Sequence, residues 1–245
     1  LRTLESFGFE WVGAAVRQSA RTALYEAALD RLRRLGVAYD CACSRQAVAR
    51  AGRVGVEGFV YAGHCRRGIP HGATPRAVRV RTHDDPLTLT DRVYGLQSQR
   101  LESAVGDFVV RRADGYFAYQ LAVVVDDADQ AITQVVRGAD LLSSTPRQLY
   151  LQRLLDLPTP AYAHVPVVLD AAGRKLSKRD RAHPVEPRDP LPALLAAWAF
   201  LGQVVEPERP ASPAEFWDFA MARWDLARVP HAPPPIGTTD GASDE

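Results

Sequence analysis

With 245 residues, 47% hydrophobic and 24% charged, the chain is long and apolar enough for one large domain or two small ones, which excludes a peptide, a fibre or a coiled coil. No apolar run approaches the ~18 residues of a membrane span, and three cysteines with no signal sequence ahead of them argue for a thiol-reducing, cytoplasmic setting over a disulfide framework. The net charge of +1 conceals 12 arginines against 7 acids between Cys41 and Gln120, a mild lean towards a nucleic-acid partner. Leu1 opens the chain and Met221 is its one methionine, so the reading frame is expected to begin upstream.

From the amino end, Ser19 followed by Leu24, Ala27, Ala28, Leu32 and Leu35 predicts an amphipathic helix stopped by Gly36, with 37–39 as the strand after it. That is one helix–strand unit of an α/β sheet. From Cys41 to Cys65 the pattern breaks into Cys-Ala-Cys, glycines and an aromatic pair, which reads as a small inserted knuckle. Alternating runs at 77–80 and 87–89 predict an antiparallel insertion. Asp107 returns the chain to α/β texture, with 108–110 as strand, Ala113-Asp114-Gly115 as turn, a run 116–125 whose later half is helix, and 132–136 as the next strand. Thr145-Pro146-Arg147-Gln148 has capping-box spacing with proline at the first helical position and opens a helix to about Leu155. Residues 165–169 are read as strand, 170–173 as turn, and 190–201 and 213–222 as helices, the second opened by a Ser212-Pro213-Ala214-Glu215 capping box. From Pro230 onward the proline-rich and polar sequence predicts disorder.

Three features carry chemistry. Against 28 arginines there are two lysines, Lys175 and Lys178, both in Lys175-Leu176-Ser177-Lys178. A loop there could swing two ammonium groups and a hydroxyl over a polyphosphate, a task that suits a compact charge on a flexible stem. All three thiols, Cys41, Cys43 and Cys65, fall in one segment with Tyr61 and His64. Zinc takes about four ligands at ~2.0–2.3 Å, so three thiols and one more donor would close a structural site. Residue type nominates His64, but adjacent side chains such as His64 and Cys65 seldom converge on one ion, whereas Tyr61 and Cys65 are spaced to meet across a turn. Tyr119, the acid pair Asp126-Asp127, and Arg137 before Gly138 suit a pocket at the carboxyl edge of a parallel sheet, with Arg137 as a two-pronged carboxylate clamp.

The segments YFAYQLAVVVDD at 116–127, VVRGADLL at 135–142, TPRQL at 145–149 and KLSK at 175–178 resemble class I glutamyl-tRNA synthetases. More narrowly, Cys41-Ala-Cys43 with Tyr61-Ala-Gly-His-Cys65 resembles the glutamyl-Q tRNA(Asp) synthetases, over residues 1 to about 228. The resemblance implies an α/β, Rossmann-type catalytic domain, incomplete at its N-terminus, with a zinc-bearing insertion and a helical C-terminal part. Residues 1–40 would finish its first half, 41–106 form the insertion, 107–160 the second half, 161–229 the lysine loop and helices, and 230–245 a disordered tail. It implies a ligase that activates L-glutamate with ATP and Mg²⁺ and transfers it to the queuosine base of tRNA(Asp). Tyr119 and Arg137 match the family's glutamate contacts, and Lys178 its catalytic, ATP-contacting lysine, with Lys175 and Ser177 beside it in the loop. Cys41, Cys43, Tyr61 and Cys65 match the ligands of one structural zinc ion. The expected partners are tRNA(Asp), L-glutamate and ATP, for a cytoplasmic monomer with no membrane contact. The family's His-Ile-Gly-His-like motif would lie before Leu1, so residues 1–245 alone are expected to be inactive; Arg179 stands where many relatives carry a small or uncharged polar residue. The rival readings are an ordinary glutamyl-tRNA synthetase cut short at both ends and a non-catalytic zinc-knuckle RNA-binding module.

Overall fold

The computed structural model describes residues 1–169, 175, 185–204 and 210–231; the expected turn at 170–173, Ser177, Lys178 and the tail beyond His231 lie outside them. After a short helix α1 (Arg2–Ser6), helix α2 spans Thr22–Arg34 and buries Tyr25, Leu29 and Leu32, one stripe at helical spacing. The helix stands where the sequence predicts it, but its buried stripe is rotated: Leu24 and Leu35 are exposed. Gly36 follows with φ +70°, a conformation that glycine adopts without a Cβ clash.

Strands β1 (Ala38–Cys41), β4 (Ala77–Val80) and β7 (Phe108–Arg111) form one antiparallel sheet in the order β1-β4-β7. Sequence reading placed 37–39 and 108–110 in α/β units on either side of the insertion; both flank a strand of that insertion instead. Four-residue strands do not encode their partner or its direction, and side-chain burial against shared neighbours decides it. Here Val78, Val80, Phe108 and Val110 bury into one cluster with Leu29, Leu32, Leu121, Val124, Tyr150 and Leu151. Two hairpins complete the insertion: β2 (Val54–Gly55) with β3 (Gly58–Phe59), and β5 (Pro86–Asp91) with β6 (Gly95–Arg100). Helix α3 (Arg45–Ala51), which sequence reading missed, is capped by the Ser44 hydroxyl, accepting from Ala47 N at 3.1 Å. Helix α4 (Leu101–Ala104) follows β6.

Helix α5 (Tyr119–Asp129) buries Leu121, Ala122 and Val124, and strand β8 (Gln134–Gly138) follows. A 3₁₀ segment, Ala139–Ser144, leads into helix α6 (Thr145–Leu154) and on to strand β9 (Ala161–Val165), which pairs parallel with β8. This β–α–β crossover sets Arg137 opposite His164. Strand β9 begins four residues before the predicted 165–169 and ends at Val165, since Pro166 has no N–H to donate to a ladder; Tyr162, Ala163 and His164 are consecutively buried, as in a covered parallel strand. Helices α7 (Leu191–Phe200) and α8 (Pro213–Arg223) pack Leu194, Trp198, Phe216 and Ala220 around Phe7 just past α1. The Ser212 cap is present, its hydroxyl accepting from Glu215 N at 3.2 Å, though the Glu215 carboxylate takes Ala211 N rather than the cap residue's own N–H. No helix among the described residues is long and apolar enough to cross a membrane.

Candidate functional site: an arginine pocket and a three-thiol cluster

Arg137 and Tyr119, singled out separately in the sequence, meet at the carboxyl end of β8. The half-buried guanidinium donates from Nε to His164 Nε2 at 3.0 Å and from Nη2 to Thr145 Oγ1 and Gln148 Oε1, both at 2.8 Å. Nη1 lies 3.4 Å from the Tyr119 hydroxyl, and the Tyr162 ring centroid is 5.3 Å from the guanidinium carbon. Thr145 and Gln148, read in the sequence as a capping box, instead grip Arg137; the α6 cap position falls on Ser144, with no side-chain cap bond. Gln148 also donates to Gln120 Oε1 at 3.0 Å, extending the network into α5. The two-pronged clamp expected of Arg137 is not the geometry found, since Nε and Nη2 are committed to protein acceptors and only the Nη1 edge faces Tyr119.

The acid pair on α5 divides its work. Asp126 is buried and accepts from Gln18, Arg21 and Tyr25, so it anchors the segment before α2. Burial raises the Asp127 carboxyl above its ordinary range, with Arg137 partly offsetting the rise and Asp126 adding to it. Past Arg137, Asp140 forms an ion pair with Lys175, the first lysine of the loop. Gly138 makes that approach possible: a Cβ there would collide with Asp140 Oδ1 and Val167 Cγ1. Lys178 and Ser177 lie outside the described residues.

The three thiols converge as expected. The ligand atoms of Cys41, Cys43 and Cys65 lie within 4.8 Å of one another, and His64 is not among them. Tyr61 completes the group, its hydroxyl 3.5 Å from Cys41 Sγ and 3.7 Å from Cys43 Sγ, with Cys43 and Cys65 sulfurs 3.7 Å apart. Ligands ~2.3 Å from a tetrahedral zinc stand about 3.8 Å from each other, so the donor set fits such an ion in spacing and in chemistry. Arg79 braces the cluster, its Nε 3.3 Å from Cys41 Sγ and its guanidinium carbon 3.9 Å over the Tyr61 ring. Burial opposes the Cys41 thiolate, but the Tyr61 hydroxyl, the Cys43 backbone N–H and Arg79 together hold its pKa below the ordinary thiol value. Burial pushes the Cys43 thiol up to about 11. A divalent cation among the sulfurs would favour the thiolate of each.

Sequence reasoning missed His164 and Asp91. The His164 ring is fully buried, its Nδ1 2.7 Å from Asp91 Oδ2. The two are 73 residues apart, and no local pattern links them.

Residues 1–189 match the family of class I tRNA synthetases (E and Q), catalytic domain. The chain is 51% identical to the glutamyl-Q tRNA(Asp) synthetase of Chromobacterium violaceum, over 95% of this chain and 78% of that protein. The glutamyl-Q tRNA(Asp) synthetase of Geobacter sulfurreducens is 50% identical over 96% of this chain and 78% of its own. Among solved structures, a glutamate tRNA ligase from Elizabethkingia meningosepticum in complex with its amino acid superposes with a TM-score of 0.66 at 20% identity, and the glutamate-tRNA synthetase of Elizabethkingia anophelis with 0.68 at 22%. Each match covers 93% of this chain, which spans 54% and 55% of the two solved proteins; at that identity they establish the α/β catalytic fold. The chain therefore belongs to the class I tRNA synthetases (E and Q), a family of ligases, and within it to the glutamyl-Q tRNA(Asp) synthetases.

Proposed function

We propose that the protein activates L-glutamate with ATP and transfers it to the queuosine base of tRNA(Asp). The observation that carries this reading is the Arg137–Tyr119 pair at the mouth of the β8–α6–β9 crossover, in a chain about half identical to glutamyl-Q tRNA(Asp) synthetases. A fixed guanidinium beside a phenol suits a carboxylate-bearing substrate. In the first step an oxygen of the glutamate α-carboxylate attacks the α-phosphorus of ATP, the bond to the bridging oxygen breaks, and pyrophosphate departs. In the second, a hydroxyl of the queuosine base attacks the activated carbonyl and AMP leaves. Lys178 neutralises charge developing on the phosphate, and Mg²⁺ bound with the nucleotide supplies further neutralisation. Lys175 is held by Asp140, so ATP would compete with that carboxylate for its ammonium group. Ser177 adds a hydroxyl donor in the same loop. One zinc ion held by Cys41, Cys43, Tyr61 and Cys65 would brace the insertion; four protein ligands leave no open position for chemistry.

Two measurements test this on the full-length protein. Glutamate-dependent ATP–pyrophosphate exchange is expected, and its absence would favour a non-catalytic RNA-binding module. Labelled glutamate on tRNA(Asp) should be recovered in the anticodon fragment after nuclease cleavage; recovery on the terminal adenosine would replace the reading with an ordinary glutamyl-tRNA synthetase.

A further inference from the structure

An arginine side chain has five N–H donors, and four of those on Arg137 point at protein groups: Nε at His164, both Nη2 hydrogens at Thr145 and Gln148, and one Nη1 hydrogen at Tyr119. Among the described residues one Nη1 hydrogen is left for a ligand. The hydrogen on Nε needs an acceptor, so His164 Nε2 must present its lone pair. That fixes the other ring nitrogen, Nδ1, as the N–H that faces Asp91 Oδ2 at 2.7 Å, because a carboxylate only accepts. Asp91 is itself held on several sides: it is 2% exposed and accepts backbone N–H groups from Val93 at 3.0 Å, Tyr94 at 2.9 Å and His164 at 3.1 Å. The result is a buried relay from the end of β5 through β9 to the arginine on β8, in which a carboxylate sets the histidine tautomer and the histidine sets the arginine.

We infer that Asp91 and His164, with Thr145, are positioning residues that lock the Arg137 guanidinium so that it meets the substrate carboxylate through Nη1 alone, beside the Tyr119 hydroxyl. This rests on the reading of Arg137 as a glutamate contact. A freely rotating arginine would offer either of its two-donor edges, and the substrate would have to select one orientation from several. The relay makes that choice in the folded protein, before substrate arrives. None of these residues touches substrate in this arrangement; they act through Arg137.

The test is a double-mutant cycle on the full-length protein, read as the KM and kcat of ATP–pyrophosphate exchange. His164→Leu should raise the glutamate KM about 10- to 100-fold, the effect of losing a hydrogen bond to a charged group, while the ATP KM stays within about twofold. His164→Gln, which restores an acceptor near Nε2, should recover most of the loss. In an Arg137→Ala background His164→Leu should add nothing further, since the group it positions is gone. Fully additive effects, or an unchanged glutamate KM in His164→Leu, would overturn the positioning role. If His164→Leu does not fold, Thr145→Val serves in the same cycle, with a smaller KM increase expected only when Arg137 is present. Should Arg137→Ala itself leave the glutamate KM unchanged, the glutamate reading fails. The relay is then judged by NMR alone: the Arg137 Nε–H signal should exchange slowly with water in the wild type and in His164→Gln, which keeps an acceptor, and rapidly in His164→Leu or Thr145→Val, while fast exchange in the wild type, or slow exchange in both of the latter variants, would show that there is no lock.

Discussion

Asp107 illustrates how a single buried carboxylate can hold two parts of the molecule together. It is fully buried and accepts from Arg66 Nε and Nη2, both at 2.6 Å, from the Tyr39 hydroxyl, and from Thr82 N at 2.8 Å and Oγ1 at 3.0 Å. Burial works against its charge, but these donors more than compensate and hold its pKa below the usual carboxylate range. A depressed folded-state pKa contributes stability that is fully present above the unfolded value of ~3.9 and is lost as pH falls through the folded one. Asp107→Asn should therefore lower stability at pH 7 by about 3 kcal/mol and make the acid-side fall in urea-unfolding stability shallower; an unchanged slope below pH 4 would show that the carboxylate is not titrating as described. The same scale holds the simplest test of the loop. Lys178→Ala should slow glutamyl-adenylate formation roughly 10²- to 10³-fold, as expected for losing one contact to developing charge, with Lys175→Ala costing less because Asp140 already holds that lysine. Lysine scarcity is what singled out the 175–178 segment in the sequence, and the thiols were legible because every one lies within a short segment. Asp107, Asp91 and His164 were not, since their partners are brought to them by sheet pairing across long sequence separations.

At the level of elements, sequence reading located α2, α7 and α8 and only part of α5, and it could not say what each polar residue at a helix start would do. Two capping-box patterns looked alike in the sequence. One caps α8 through Ser212, while at α6 Thr145 and Gln148 face β8 and bind Arg137. The difference lies in the neighbourhood: α8 begins at an exposed surface, whereas α6 begins beneath a parallel strand whose arginine has N–H groups in need of acceptors. Ser212→Ala should accordingly lower stability by about 1 kcal/mol through the lost cap and leave exchange kinetics untouched, measured by thermal unfolding alongside pyrophosphate exchange. A change in glutamate KM in that variant would mean that α8 communicates with the pocket in a way the packing does not show. Strand direction was also beyond local reading, because β1 and β7 are too short to carry their own pairing rule and take it from β4.

Over the whole molecule, the insertion and the crossover are joined at several points rather than simply abutted. The turn between β2 and β3 brings Glu57 to the start of α6, where it accepts from Ser143 at 2.6 Å and Ser144 at 3.2 Å and pairs with Arg147. Arg79 links the thiol cluster to the Asp107 backbone carbonyl at 2.6 Å, and β5 ends on Asp91 behind His164. The family likeness was readable from short motifs, but not these junctions, which exist only once the chain is folded. They give the last prediction its form. One zinc per chain is expected by metal analysis, reduced by Cys43→Ser and retained by His64→Ala, since the imidazole lies outside the group of ligand atoms while Tyr61 lies within it. Because Cys41, Tyr61 and Cys65 form a cluster of their own, separate from the core built by α2, α5 and α6, chelation should raise hydrogen exchange across residues 41–65 while α5 and α6 keep their protection. Pyrophosphate exchange should then change only a few-fold, and transfer to tRNA should fall further, because the ion supports the insertion and stands apart from the arginine pocket. Equal losses in both steps would mean that the junctions at Glu57 and Asp91 transmit the disorder to α6 and β9, and that the metal supports the pocket as well as the insertion.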